Sequence, residues 1–409
     1  MQILFVHPNF PAQFGPVARR LAQDGVECVF VSKGASGMRD GIRCIPFQAQ
    51  GGALASTHYC SRTFENAIWN SHAVYEACRA DAELAPDLIV GHSGFGTTLF
   101  LADLYQAPIV SLFEYYYRGR GSDMDYRPEY PPRPLDYLRA RARNAMILLD
   151  GENATAAYTP TEWQRSVFPE HLRDRLEVIH DGIDTSLWCR TDQGPQGRSV
   201  QGETIPDGTS IVTYVARGLE AMRGFDVFVR TAKEILMERP ETIFVVVGGE
   251  RTHYGNDRHH IDAKSFCQHV LAEEQPDLNR FRFLGTLPPA ELARVLSVSD
   301  LHIYLTVPFV LSWSLLNAMA CACPVLASET GPVSEVVRDG YHGRLAPFAD
   351  HIALGRVALE LLEDRQQAAK LAEGGRALVE ARYSLDATYP RLCDLFARAM
   401  GRAELLPGH

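Results

Sequence analysis

Two arginines in one short loop, Arg217 and Arg223, follow the apolar run SIVTYVAR (210–217) and precede Gly224 and a helical stretch. Their planar guanidinium forks could clamp a diphosphate, although solvated loop arginines would read the same way. A second stretch, PFVLSWSLLNAMACACPVLASETGPVSEVV (308–337), sets Ser312 and Ser314 at the start of an apolar helix pattern. Both are N-cap candidates, and the free N–H groups and dipole of such a helix start attract anions. Asn317 lies about one turn further in, an amide in otherwise apolar surroundings. It is either a surface or capping group or a ligand contact near a cleft mouth.

The first half of the chain offers a different set. HPNFPAQFG (7–15) places Gly15 at a helix start, where a backbone can approach a ligand closely. The GxGxxG spacing is absent after this first strand, which argues against a nicotinamide oxidoreductase. His92 follows PDLIVG and Glu114 follows APIVSLF, so both fall at strand ends and are expected to point into one cleft. Taken singly, each is more often structural than catalytic.

Other motifs carry less. Asp123-Met-Asp125 has the DxD spacing of metal-dependent sugar transferases, a three-residue match that chance supplies easily. RTHYGNDRHH lacks zinc-ligand spacing and reads as a solvated loop, so no metal site is expected. Tyr115, Tyr116 and Tyr117 with Arg118 could form a platform for a sugar or simply pack. RPLDYLRARARNAMILL reads as a solvated helix face, so membrane contact is at most peripheral. The sequon at Asn153 has no role in a bacterial cytosol.

These residues need elements to hold them. QILFVH, ECVFVSK, PDLIVGHS, APIVSLFEYYY and LEVIHDG are short continuous apolar runs separated by helical stretches such as 61–80 and 134–150. Continuous rather than alternating strands indicate a parallel sheet covered on both faces. Residues 189–210, rich in Gly, Pro, Gln, Ser and Thr, read as a linker, after which SIVTYVAR, ETIFVVVGG, RFRFLGT, LHIYLT and PVLAS repeat the alternation. Helices close the chain across 350–402.

At 409 residues two domains are the simplest division. The 46% apolar and 22% charged fractions are those of a soluble globular enzyme, and no apolar run reaches the ~20 residues of a membrane span. The chain runs directly into a strand, so no signal peptide is expected. Nine scattered cysteines, odd in number and without CxxC, favour a reducing cytoplasm. A net charge of -10 argues against nucleic acid as a partner. Only four of the 40 basic residues are lysines, which hints at a GC-rich bacterial genome.

Taken together, these residues resemble a retaining glycosyltransferase of family 4 (glycosyl transferase group 1) over nearly the whole chain. VARGLEAMRGFDVF resembles the segment whose Arg and Lys/Arg hold the donor diphosphate, which implies those roles for Arg217 and Arg223. YLTVPFVLSWSLLNAMACACPVLASETGPVSEVV resembles the donor-site helix with Ser312 and Ser314; TPTEWQRSVFP and VIHDGIDTSLW resemble the end of the acceptor domain. Gly15 falls in the loop facing the donor phosphates, and Glu114, with His92 beside it as a catalytic candidate, falls where many members have a His near the transferred sugar. The implied fold is GT-B, α/β, with two Rossmann-like doubly wound domains facing each other across a cleft. Its expected divisions are an acceptor domain at 1–188, a linker at 189–210, a donor domain at 211–385, and a C-terminal helix and tail at 386–409 packing back on the first domain.

The resemblance implies a cytoplasmic, metal-independent enzyme without cofactor. It would move a sugar from a nucleoside diphosphate sugar to an unidentified acceptor with retention. The family's paired glutamates fall at Phe309 and Asn317, so Asn317 stands where a ribose-binding carboxylate is expected. Two other readings remain open: a non-catalytic paralogue that binds a nucleotide sugar or a partner, and an epimerase, for which no flanking acid–base pair is evident. Neither acceptor nor oligomeric state is legible.

Overall fold

The computed structural model of the chain describes residues 1–191 and 198–405. Residues 192–197 of the expected linker and 406–409 of the expected tail lie outside the described residues. The chain divides into two compact α/β units. The first comprises Met1–Arg120, Arg133–Gly182 and Leu385–His409, and the second Gly121–Pro132 and Ile183–Ser384. Sequence order assigns 121–132 to the first domain, whereas its packing places it in the second, where Arg127 is buried against Asp226.

In the first unit, eight strands form one sheet: β1 (Gln2–Val6), β2 (Glu27–Ser32), β3 (Gly37–Arg39), β4 (Ile42–Pro46), β5 (Leu88–His92), β6 (Ile109–Leu112), β7 (Ala156–Thr159) and β8 (Leu176–Val178). Their order is β3-β4-β2-β1-β5-β6-β7-β8, parallel except for the β3–β4 hairpin. Every residue of β1 is buried because helices cover both faces. Ile3 and Phe5 join a core with Val17 and Leu21 of the Gly15–Gln23 helix and Leu392, Leu395 and Phe396 of the Leu385–Ala399 helix. Leu4 and Val6 face the other way, toward Val74 and Cys78 of the Arg62–Ala80 helix. The C-terminal helix thus completes the first unit's core.

β6 stops at Leu112, well short of the expected Tyr117. The buried amide of Asn144 takes over from a strand partner there: Tyr117 N donates to its Oδ1 at 2.9 Å, and its Nδ2 donates to the Tyr117 carbonyl at 2.8 Å.

The second unit opens with a small antiparallel hairpin, β9 (Ser199–Val200) and β10 (Glu203–Thr204), inside the expected linker. Its main sheet contains β11 (Ile211–Gly218), β12 (Ile243–Gly249), β13 (Phe281–Phe283), β14 (Leu301–Tyr304), β15 (Val325–Ser328) and β16 (Arg344–Ala346). These run in the order β13-β12-β11-β14-β15-β16, all parallel. Each sheet therefore has a point where strand order reverses, between β1 and β5 in the first and between β11 and β14 in the second. In open parallel sheets, ligand crevices form beyond the strand ends at such points.

Candidate functional site

In the second unit, the chain leaving β11 makes a tight 3-10 turn, Ala221–Arg223, closed by Gly224 at φ +64. A Cβ on Gly224 would stand 3.0 Å from Leu305 and Phe348, so both conformation and space require glycine. Tyr214 Oη donates to the Arg223 carbonyl at 2.6 Å, and the Arg223 side chain crosses toward β14. There its Nη1 donates to Thr306 Oγ1 at 2.8 Å and approaches the Val310 carbonyl at 3.4 Å. The guanidinium carbon lies 5.4 Å from the Tyr254 ring and 5.7 Å from the Phe309 ring. Arg223 is only 5% exposed, and among the described residues no carboxylate lies within ion-pair distance of it. A buried cation held by neutral groups alone is set up for an anion.

The other second-unit candidates are distributed around this turn and the Trp313–Ala320 helix. Arg217 is exposed and reaches Tyr254 Oη at 3.4 Å. Ser312 caps the Trp313–Ala320 helix, its Oγ accepting from Ser314 N at 3.4 Å and from Ser314 Oγ at 3.1 Å. Asn317 is 5% exposed, and its Oδ1 is buried without a hydrogen-bond partner. The Phe309 ring lies tilted against that of Tyr254, with centroids 5.2 Å apart, and both flank Arg223.

Sequence reasoning missed Glu220. Its fully buried carboxylate is the anchor of the 251–257 loop: Oε2 accepts from the backbone N–H groups of His253, Tyr254 and Gly255 at 3.0, 3.0 and 3.1 Å. Asp257 works from the other side, accepting from Ala221 N at 3.0 Å, and burial lifts its carboxyl to about 7. The histidine-bearing loop read as solvated is thus tied to the Arg223 turn. A glutamine oxygen could still meet the three donors, but without charge, and its NH2 group would take the buried, unpartnered Oε1 position. Glu220→Gln is expected to lower unfolding stability by about 1–3 kcal/mol, measured by urea denaturation; an unchanged midpoint would remove the anchoring role.

In the first unit, His92 ends β5 and Glu114 follows β6. Strand register puts His92 opposite Leu112, which brings the two side chains together, with His92 Nε2 3.4 Å from Glu114 Oε2. That is an ion-pair distance, long for a hydrogen bond. Glu114 also accepts from Gln13 Nε2 at 3.1 Å, while Gln164 Nε2 holds its backbone carbonyl at 2.8 Å. The rings of His7 and Phe95 lie 5.4 and 4.9 Å from that of His92. Burial alone would lower the His92 pKa, but Glu114, the Ser93 carbonyl and Asp181 raise it overall; burial would raise that of Glu114, but His92, Gln13 and His7 pull it down. Gly15 begins the Gly15–Gln23 helix in this same unit, where a Cβ would meet Pro11 at 2.9 Å.

Two family models match the chain: "Glycosyl transferase family 4 group" over residues 24–188 and "Glycosyl transferases group 1" over 196–378. Between them, these two glycosyl transferase models cover most of the chain. The chain is 26% identical, over 234 residues, to D-inositol 3-phosphate glycosyltransferase of Salinispora tropica, covering 55% of the chain and 46% of the relative. It spans about half the length of the curated relatives that it matches. Among solved structures, sucrose-phosphate synthase from Thermosynechococcus elongatus superposes with a TM-score of 0.72 at 18% identity, covering 98% of this chain and 99% of that one. Anabaena HepE, solved with UDP and glucose, gives 0.71 at 16% identity, covering 97% and 100%. The fold is GT-B.

The remaining motifs serve local structure. Asp125 accepts from the N–H groups of Gly121 and Ser122, both at 2.9 Å, so its carboxylate caps its own turn. Asn153 Nδ2 bonds to the Leu99 carbonyl at 3.1 Å. Tyr115 is buried beside Tyr117 and Trp163. Among the described residues no group of three or more His, Cys, Asp or Glu is arranged for a metal ion, and no helix is long and apolar enough to cross a membrane.

Proposed function

We propose that this chain transfers a glycosyl group from a nucleoside diphosphate sugar to an acceptor, with retention and without a metal, in the cytoplasm. The observation that carries the reading is Arg223, a buried guanidinium beyond the strand-order switch with neutral neighbours only. The diphosphate supplies the missing counter-charge. Arg217 and the N–H groups at the start of the Trp313–Ala320 helix complete the anion site, stabilising negative charge as the sugar–phosphate bond breaks. Preorganised cations and dipoles of this kind substitute for a divalent ion. The His92–Glu114 pair orients a hydroxyl of the sugar or acceptor. Nine free thiols suit a reducing compartment. Thermal shift against UDP, GDP, ADP and deoxyuridine diphosphate tests the donor side before any acceptor is known. Stabilisation by one of them supports the reading, and binding of none would sink it.

Asn317 bears on which nucleotide. A carboxylate accepts from both hydroxyls of a ribose, whereas a carboxamide presents one accepting oxygen and one donating NH2 group, with charged bonds roughly twice as strong. With its Oδ1 unpartnered, Asn317 can still accept from a single hydroxyl, which is all a 2'-deoxyribose presents. The wild type is expected to bind deoxyuridine diphosphate within about tenfold of UDP, and Asn317→Glu to shift preference toward UDP. A wild-type preference for UDP above about tenfold by calorimetry, about 1.4 kcal/mol, would overturn the deoxynucleotide assignment.

A further inference from the structure

Arg127 belongs to the Gly121–Pro132 segment, which sequence order sets between two elements of the first unit, β6 and the Pro134–Asn153 helix. Its side chain is nevertheless built into the second unit. Nη1 donates to Asp226 Oδ1 and Nη2 to Asp226 Oδ2, both at 2.8 Å, and Nη1 also donates to the Ala221 carbonyl at 2.9 Å. The guanidinium carbon lies 5.0 Å from the Tyr130 ring and 5.3 Å from the Phe348 ring. Arg127 and Asp226 are 6% and 3% exposed. Arg230 Nη2 also meets Asp226 Oδ2, at 2.6 Å, and the half-exposed Glu129 meets Arg127 Nη2 at 3.2 Å.

What this fork holds is the turn that aims Arg223. Ala221 opens the turn: its N–H goes to Asp257, and its carbonyl accepts both from Arg127 and from Gly224 N at 2.9 Å. Asp226 lies in the first turn of the Phe225–Glu238 helix that follows. Arg127 therefore fixes the entry and exit of the six-residue stretch 221–226, which contains Arg223. We propose that Arg127 is a positioning residue for the anion site, setting the direction in which Arg223 leaves its turn. This rests on the reading of Arg223 as a diphosphate ligand.

The chemistry explains why arginine is needed. One planar fork serves two carboxylate oxygens and a carbonyl at once, whereas an ammonium acts as a point charge and cannot hold all three in plane. With the fork gone, the Ala221 carbonyl loses its charged donor. Asp226 keeps only Arg230 as a partner, so the start of the helix that follows the Arg223 turn is held less firmly.

The test uses the full-length protein, with the tightest-binding diphosphate of the four above and its parent nucleoside as calorimetric probes. Arg127→Lys is chosen because it keeps the charge and is the gentler change for folding. Its expected result is a loss of about tenfold in diphosphate affinity, with nucleoside affinity changed less than about threefold. In an Arg223→Ala background, Arg127→Lys should cost nothing further, because its effect passes through Arg223. Hydrogen exchange supplies a second readout, with faster exchange expected at the Arg223 and Gly224 amides in Arg127→Lys and none in the later turns of the Phe225–Glu238 helix. Equal loss for diphosphate and nucleoside, or full additivity with Arg223→Ala, would make Arg127 merely structural and overturn the proposal. If the wild type binds none of the four diphosphates, the donor-site reading fails first and the positioning role falls with it.

Discussion

Arg223→Ala should reduce affinity for the donor diphosphate by about 10- to 150-fold while leaving affinity for the parent nucleoside nearly unchanged. The range follows from the ~1.5–3 kcal/mol of a hydrogen bond to a charged group, and the buried setting favours its upper end. Arg223 is 5% exposed and flanked by the Tyr254 and Phe309 rings, so its contact with phosphate is little screened by water. Removing it leaves Thr306 Oγ1 with the Val307 carbonyl, at 2.9 Å, as a partner, so the protein itself is spared an orphaned hydroxyl. Calorimetry with diphosphate and nucleoside on both proteins reads the difference directly. Comparable losses for the two ligands would mean that Arg223 supports the fold around the base and does not meet phosphate.

The anion site is legible in sequence because its parts are local. An apolar strand, two arginines and a glycine lie within fifteen residues of one another, and the parallel-sheet rule alone says where such a loop must sit. The glycine at 224 can be read as a helix start, although its left-handed conformation cannot. The strands are legible for a similar reason. Burial on both faces removes alternation, leaving runs such as QILFV, too short for a helix and too apolar for a loop. β4 is hidden because it reads IRCIP, half-buried and interrupted by Arg43, which pairs with Asp81 at 2.7 Å.

What sequence could not yield are contacts made over long separations or to backbone. Arg127 and Asp226 lie 99 residues apart, and nothing in SDMDYRPEYPPRP marks Arg127 as the partner of a carboxylate in the other half of the chain. The prolines and scattered charges of that segment suggest a loop, and it is one; its packing follows from one fork finding one buried acid. Glu220 is hidden differently. Its partners are three main-chain N–H groups, which have no residue type, so only the folded 251–257 loop shows the carboxylate to be engaged. Asp150 is a third case, a buried acid within a helix whose Oδ2 accepts from Gly94 N at 2.7 Å and so shapes the loop leaving β5. Burial raises its pKa to about 7, against the pull of Gly94 N–H, His92 and Thr98.

Glu114→Gln is expected to lower turnover by about a hundredfold, the cost of misplacing a reacting group by about 1 Å, with donor affinity changed less than about threefold. The effect turns on what the substitution does to His92. In the wild type, burial works against the imidazolium, and Glu114 together with Ser93 and Asp181 overcomes it, so His92 titrates above its ordinary range. The raised pKa gives a contribution to stability that is complete below about 6.5, the unfolded value, and is lost as pH rises through the folded one. The lowered Glu114 pKa contributes in the opposite sense, present above its unfolded value and lost as pH falls through the folded one. Between those limits both groups are charged. In Glu114→Gln the amide accepts without charge, burial of His92 is no longer opposed by its main partner, and the ring should become neutral at lower pH. The alkaline limb of the pH–rate profile should therefore move toward acid along with the fall in turnover, and His92→Gln should abolish that limb altogether. A purely structural Glu114 would leave the limb in place. Turnover and limb both unchanged in Glu114→Gln would remove the pair from the reaction, and the group that orients the acceptor would have to lie elsewhere in the first unit.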